Sequence, residues 1–140
     1  MIQSIIDRLM ETGTPFAISG GAAQLADVKD RPTNTPAVFV FISDERSTAS
    51  ERIGSVLQRT QATIGVVIVT ENLSALNNAA AVDDIDSLKA YCRRKLIGFT
   101  PTNAEHAEPM EHLAGELQQA LGGTVWFEDA YTTAYYLMEA

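Results

Sequence analysis

Residues 56–70 most constrain the fold, because a polar half and an apolar half follow each other within one strand-like stretch. The first half is polar on both alternating faces, whereas the run from Ile64 to Val69 is apolar on both. Strands usually have about three to ten residues, and continuous apolar runs are typical of strands covered on both faces. The pattern therefore predicts one long strand, Val56–Thr70, whose polar half projects beyond the domain core.

A second apolar stretch lies upstream and predicts the partner of this strand. Residues Ala37–Ile42 are nearly all apolar and predict a buried strand. The segment between the two strands, Ser43–Gly54, is made of small and polar residues. Such segments have low local stability, so the sequence predicts a mobile hairpin tip that becomes ordered in an assembly.

The other segments complete an α+β pattern. Ile2 to Leu9 places apolar residues at helical spacing, and Gly122-Gly123 reads as a hairpin turn before a strand rich in aromatic residues. The predicted elements are a helix Ile2–Glu11, a short strand Phe16–Ser19, a short helix Ala22–Val28, the main helix Ala79–Ile97 and a last strand Thr124–Leu137. Residues Glu111–Leu121 fit either a strand bent at Gly115 or a partly helical segment. We predict one α+β domain over residues 1–140, with a mainly antiparallel sheet, a long projecting hairpin and the main helix packed on one face.

The charge distribution limits the possible partners. The net charge is −8, and no Lys or Arg follows Lys95, whereas seven acidic residues do. Tight general binding to nucleic acid needs several cations on one surface, so the sequence argues against it. The dense basic spot Arg93–Lys95 falls in the last turn of the main helix, where cations suit the helix dipole.

Neither a membrane span nor a signal peptide is predicted. The longest strongly apolar run, Ile64–Val69, is far shorter than the roughly 20 residues needed to cross a bilayer. The N-terminus has no basic region followed by an apolar one. We therefore expect a soluble protein made in a reducing cytoplasm. The single cysteine, Cys92, is expected to be a buried apolar residue, with a reactive thiol as the alternative.

A search for catalytic chemistry finds no set of nucleophile, base and orienting residue. His106 and His112 lie among glutamates, but their spacing matches no metal motif, and no lysine follows Gly20-Gly21 as a phosphate loop requires. Trp126 and the nearby tyrosines favour core and interface packing over a stacking platform for single-stranded nucleic acid. The sequence predicts no enzyme, no metal and no cofactor. A small enzyme or ligand-binding domain of α+β type is the alternative from another class.

The last strand carries the clearest resemblance to a known family. The segment Thr124–Leu137 resembles the closing strand of phage tail terminator proteins, in which an aromatic pair, a polar residue and Asp precede a further aromatic residue. The corresponding residues here are Trp126, Phe127, Glu128, Asp129 and Tyr131. Four other segments resemble family motifs in the same order: Gly20–Ala23 with Leu25, Pro36–Val40, Gln58–Val67 and Leu96–Pro101. The segment Glu111–Leu113 departs from the family pattern, in which a more basic, strand-like segment is usual.

The resemblance implies a structural role in a virion. Tail terminators form a hexameric ring on the last ring of the tail tube, which stops tube polymerisation and presents a surface to the head-completion or neck protein. The implied partners are other copies of the chain, the tail tube protein and the neck protein, with DNA only passing through the lumen and with no cofactor. The implied location is the tail–neck junction, after synthesis in the cytoplasm of a bacterial host. Another head–tail connector protein is the nearest alternative.

Two sets of residues are candidates for this role. The arginines of the projecting hairpin and polar or aromatic residues of the last strand are expected at an assembly interface: Arg46, Arg52, Arg59, Trp126, Asp129 and Tyr131. The acidic residues of the C-terminal third are expected to line the lumen and repel DNA: Glu105, Glu108, Glu111, Glu116 and Glu128. Alternatively, these acids face bulk solvent or meet Arg93, Arg94 and Lys95 of a neighbouring subunit.

Overall fold

A computed structural model describes residues 1–28, 32–71 and 79–140. The helices are α1 (Ile2–Leu9), α2 (Ala22–Ala26) and α3 (Ala79–Leu96), and the strands are β1 (Ile18–Gly20), β2 (Ala37–Ser47), β3 (Leu57–Glu71), β4 (Glu111–Leu121) and β5 (Thr124–Met138). In these ranges, no helix has the length and apolar character needed to cross a bilayer.

The five strands form one sheet in the order β1-β2-β3-β5-β4. Strand β1 pairs with β2 in parallel, and the other three pairings are antiparallel. The longest pairing joins β3 to β5 over the whole length of β3, from Leu57↔Met138 to Glu71↔Thr124. The α+β class with a mainly antiparallel sheet is therefore confirmed.

The sheet has two faces with different cover. On the first, termed the helix face, α1 and α3 bury the main core, which includes Ile64, Val66 and Tyr131 of the sheet and Cys92 and Leu96 of α3. Cys92 is fully buried, as expected, and burial raises the pKa of its thiol well above its usual range. The opposite face, termed the groove face, carries a smaller cluster with its centre at Phe39, Val67 and Val69, on which Leu25 of α2 packs.

The first strand of the β2–β3 hairpin, β2, is longer than the sequence predicts. Residues Ser43–Ser47, predicted as part of a mobile tip, belong to β2 and pair with β3 from Asp44↔Thr63 to Ser47↔Thr60. Their polar side chains do not prevent this, because strand pairing uses the backbone and the hydroxyls of Ser47 and Thr60 share a 2.7 Å hydrogen bond. The polar composition reflects exposure, and the connecting segment is restricted to residues 48–56.

Residues 111–121 form a strand, which decides between the two alternatives left open by the sequence. Strand β4 pairs with β5 along its length, with irregularities between His112 and Ala114 and between Leu117 and Gln119. A two-residue turn joins the strands, and its glycines have positive φ angles of 62° and 82°. Two consecutive positive φ values suit the tight hairpin turn that matches strand twist, so the predicted turn is confirmed.

Candidate assembly surfaces

A buried carboxylate lies at the junction of α3, β4 and β5. The side chain of Asp129 is 0% exposed and accepts two hydrogen bonds from Arg93, at 3.0 Å to Oδ2 and 2.9 Å to Oδ1. His112 Nε2 lies 3.1 Å from Oδ1, and the Tyr131 hydroxyl donates to Oδ2 over 3.1 Å. Each carboxylate oxygen therefore has two polar partners, one on α3 and one on the sheet.

Burial and hydrogen bonding act in opposite directions on this carboxyl group. Burial alone would raise the pKa of Asp129, but the hydrogen bonds from Arg93, His112 and Tyr131, with the charge of Arg93, hold it below its ordinary value. Burial and the adjacent Asp129 raise the pKa of Tyr131 far above its usual range. Asp129 is thus held as an anion and Tyr131 as a neutral hydroxyl, which suits a permanent ion pair.

The absence of a side chain at Gly115 makes room for this ion pair. A Cβ atom on Gly115 would lie 2.8 Å from Asp129 Oδ1 and 3.1 Å from a terminal guanidinium nitrogen of Arg93. Both distances are shorter than ordinary van der Waals contact, so a side chain here would displace the pair. This close approach explains why residue 115, a possible bend in the sequence-based prediction, is a glycine.

The cluster around Asp129 links α3, β4 and β5 through side-chain hydrogen bonds. All the hydrogen-bonding capacity of the carboxylate is directed at residues of the same chain. Across the described residues, no group of three or more His, Cys, Asp or Glu side chains is arranged to hold a metal ion.

Two residues assigned to an assembly interface from the sequence lie inside the chain. Asp129 and Tyr131 are both 0% exposed, and their partners belong to the core and to α3. The strongest partner of Asp129, Arg93, was interpreted from sequence only through the helix dipole. The missed signal was the combination of Asp at an inward position of β5 with glycine opposite it at 115.

The hairpin arginines have different surroundings. The Arg59 guanidinium makes two hydrogen bonds to the Glu108 carboxylate, at 2.7 and 2.9 Å, and thereby lowers the pKa of Glu108. The Arg46 side chain is 85% exposed, with a single 3.4 Å contact to Asp44. Arg52 is exposed in the connecting segment. Arg46 and Arg52 are thus available to a partner, whereas Arg59 is engaged within the chain.

A hydrogen bond on the helix face also stabilises the outer part of the hairpin. The Tyr135 hydroxyl on β5 donates a 2.5 Å hydrogen bond to Glu45 on β2, across the intervening β3. This hydrogen bond raises the pKa of Tyr135 to about 12. Side chains thus join β5 to β2, and Arg59 of β3 is paired nearby with Glu108 of the segment that precedes β4.

We predict that residues 49–55 exchange their amide hydrogens rapidly in the free chain and slowly in an assembly. These residues are outside the strands, with hydrogen bonds made largely through the Ser50 hydroxyl, whereas Asp44–Ser47 pair with β3. Segments with few buried contacts open at low free-energy cost. Hydrogen exchange read by mass spectrometry checks this, with 44–47 as the internal reference. Equal protection of 49–55 and 44–47 in a proven monomer would contradict it.

The five candidate acids are distributed over the C-terminal part of the fold. The register of β4 and β5 places Glu111, Glu116 and Glu128 on the groove face, with Glu116 directly opposite Glu128. Glu105 is exposed between α3 and β4, and Glu108 is paired with Arg59 as described. Like charges directly opposite on a sheet destabilise it, so the pair at 116 and 128 favours a cationic partner at this face.

The groove face contains a shallow groove of about 380 Å³. Gly65 permits it, because a Cβ there would lie 2.6 Å from Cζ of Phe41, whose ring lies against the sheet. Glu128 lies at its polar side and accepts a 3.2 Å hydrogen bond from Gln118. The groove is lined by Leu25, Phe41, Val67, Gln118, Gln119, Trp126 and Glu128.

Comparison with known proteins identifies the family. A chain in the solved structure "Virion of native gene transfer agent (GTA) particle" has a similar fold, with a TM-score of 0.57 and 9% sequence identity over 98% of this chain and 95% of that chain. No curated protein matches the sequence. The family model described as "Phage tail terminator protein" matches residues 1–139. The fold and this match define a structural protein of a phage tail. The chain belongs to the phage tail terminator family.

Proposed function

We propose that this chain forms a ring, of six subunits, that caps the end of the tail tube. The ring ends tube polymerisation and presents its other surface to the head-completion or neck protein at the tail–neck junction. Assembly follows synthesis in the cytoplasm of a bacterial host. The observation that carries the proposal is the family match over residues 1–139, which spans every described element.

The proposed unit of assembly is a single domain of residues 1–140 without catalytic activity. One sheet includes all five strands, and β5 alone pairs with both β3 and β4. The buried carboxylate of Asp129 is saturated by partners of its own chain and joins α3 to the sheet. A rigid domain with saturated internal polar groups suits a ring component better than it suits an enzyme or a ligand-binding protein.

The exposed part of the hairpin and the groove face are the proposed contact surfaces. Arg46 and Arg52 contact a neighbouring subunit or the tube, because arginine is enriched at interfaces and both side chains are accessible. Trp126 contributes from the groove, where its ring is half-buried. Arg59, Asp129 and Tyr131 act from within the chain by holding these surfaces in position.

The acidic residues supply the proposed lumen wall. Glu105, Glu111 and Glu116 are exposed, and β4, which carries two of them, is an edge strand of the sheet. Glu108 and Glu128 have partners in the chain and contribute less. A field of one sign repels phosphate groups, so DNA passes through the ring without specific binding.

We predict that the purified chain shortens and caps tubes grown from the tail tube protein of the same phage. Tubes grown with and without the chain are compared by electron microscopy for length and for density at their ends. A six-subunit ring at one tube end and a shorter length distribution are expected. Unchanged lengths with bare ends would contradict the proposal, and binding to the neck protein alone would favour the connector alternative.

A further inference from the structure

The connecting segment of the hairpin exposes an apolar side chain beside a cation. Ile53 is 101% exposed, next to the exposed Arg52, at a turn where Gly54 has a φ of +81°. Three further apolar residues are partly exposed at the same end of the sheet: Val56, Leu137 and Met138. A fully exposed isoleucine contributes no hydrophobic stabilisation to the free chain, so this tip is suited to burial against a partner.

The groove complements the tip, because it combines an apolar surface with negative charge. Phe41, Val67 and Trp126 provide an apolar surface, and the Glu128 carboxylate lies beside it. Glu116, directly opposite Glu128, adds a second negative charge without a cation paired to either in the described residues. An apolar side chain adjacent to an arginine fits this combination of apolar wall and acidic rim.

The tip and the groove lie apart along one sheet. The tip adjoins the pairing Leu57↔Met138, whereas Phe41 and Trp126 of the groove pair with Gly65 and Val69, eight and twelve residues further along β3. At about 3.3 Å per residue, the separation is roughly 26–40 Å, too far for contact within one chain. Two different, complementary patches on one molecule make a head-to-tail contact, and such contacts generate rings when the rotation closes.

We propose that the hairpin tip of one subunit docks in the groove of the next copy, with Ile53 against Phe41 and Trp126. Arg52 then pairs with Glu128, and the repeated contact closes the ring. This inference rests on the proposed ring-forming function and identifies the surfaces that join its subunits. Of the acids proposed for the lumen, Glu116 and Glu128 then lie at the subunit contact, and Glu105 and Glu111 remain on the channel side.

Cysteine cross-linking tests the contact directly. The double variant Ile53→Cys with Gln119→Cys places one thiol at the tip and one at the groove rim, and disulfides form only when Cα atoms approach within about 7 Å. Each single variant is a control, and the buried Cys92 stays unreactive. On capped tubes under mild oxidation, the double variant should give a covalent ladder up to the full ring, and each single variant should give none.

Charge reversal gives a second, independent readout. Arg52→Glu should weaken ring formation by roughly tenfold or more, since it places like charges together at the contact. Combining it with Glu128→Arg should restore most of that loss. Arg94→Glu, an exposed residue of α3, changes the net charge equally and should leave ring formation unchanged.

The outcomes separate this contact from the function on which it rests. Capped tubes without a covalent ladder would overturn the docking and leave the capping function intact. Loss of the ring in Arg94→Glu, with Arg52→Glu unaffected, would also overturn it, because the basic end of α3 would then meet the acidic face. If the unmodified chain neither caps tubes nor forms a ring, the function itself fails, and the docking fails with it.

Discussion

Tyr131→Ala is expected to lower the free energy of unfolding by about 3–5 kcal/mol, the range found when a buried aromatic residue is truncated. The Tyr131 side chain is fully buried among the residues of the helix face, and the His112 ring packs edge-on against it with centroids 5.3 Å apart. Truncation leaves a cavity and removes a donor to Asp129. Urea unfolding of the free chain, followed by circular dichroism, measures the loss.

The variant Tyr131→Phe distinguishes the contribution of the ring to stability from that of the hydroxyl. It keeps the packing and should cost about 1–2 kcal/mol, because a buried carboxylate loses one hydrogen bond. Tyr136→Phe on the same strand is the matched control, since Tyr136 is half-buried and should change stability by less than about 0.5 kcal/mol. A free chain of unchanged stability after Tyr131→Ala would show that Tyr131 contributes only at an interface between chains.

Strands β3 and β5 could be predicted from sequence because their physical signals are local, whereas the polar end of β2, Ser43–Ser47, was not predicted. Alternation and apolar runs predicted β3 to within one residue at each end, and Gly122-Gly123 predicted the turn before β5. The α3 prediction, Ala79–Ile97, exceeded the helix by one residue. Apolar periodicity and turn glycines are properties of neighbouring residues, so one sequence suffices to recognise them.

The surroundings of the candidate residues could not be predicted from sequence, because they depend on contacts distant in the sequence. Arg93 and Asp129 are 36 residues apart, and Arg59 and Glu108 are 49 apart. Charge alone could not distinguish Arg59, paired within the chain, from the exposed Arg46. The groove likewise depends on Gly65 of β3 making room for Phe41 of β2, a fit between neighbouring strands that composition does not reveal.

Arg93→Ala is expected to lower the free energy of unfolding by about 2–4 kcal/mol at neutral pH. Removing one partner of a buried ion pair typically costs about 3–5 kcal/mol, because the remaining charge is buried without compensation. The Arg93 side chain is 36% exposed, so water entering the site reduces the cost by roughly 1 kcal/mol relative to that range. Arg94→Ala is the matched control, since its exposed side chain has no carboxylate partner among the described ion pairs.

The loss of stability in Arg93→Ala is also predicted to depend on pH, which a packing defect alone would not produce. The pKa of Asp129 is held below its ordinary value in the folded chain, so its contribution to stability is present above the unfolded pKa of about 3.9. That contribution is lost as the pH falls through the lower, folded pKa. In Arg93→Ala the cation that favours the anion is absent, and burial favours the neutral acid. The stability difference between the original chain and Arg93→Ala should therefore be largest near neutral pH and narrow below about pH 4. Unfolding curves from pH 7 to pH 3 measure it, and a difference that stays constant over this range would mean that Arg93 stabilises the fold by packing and not by its charge.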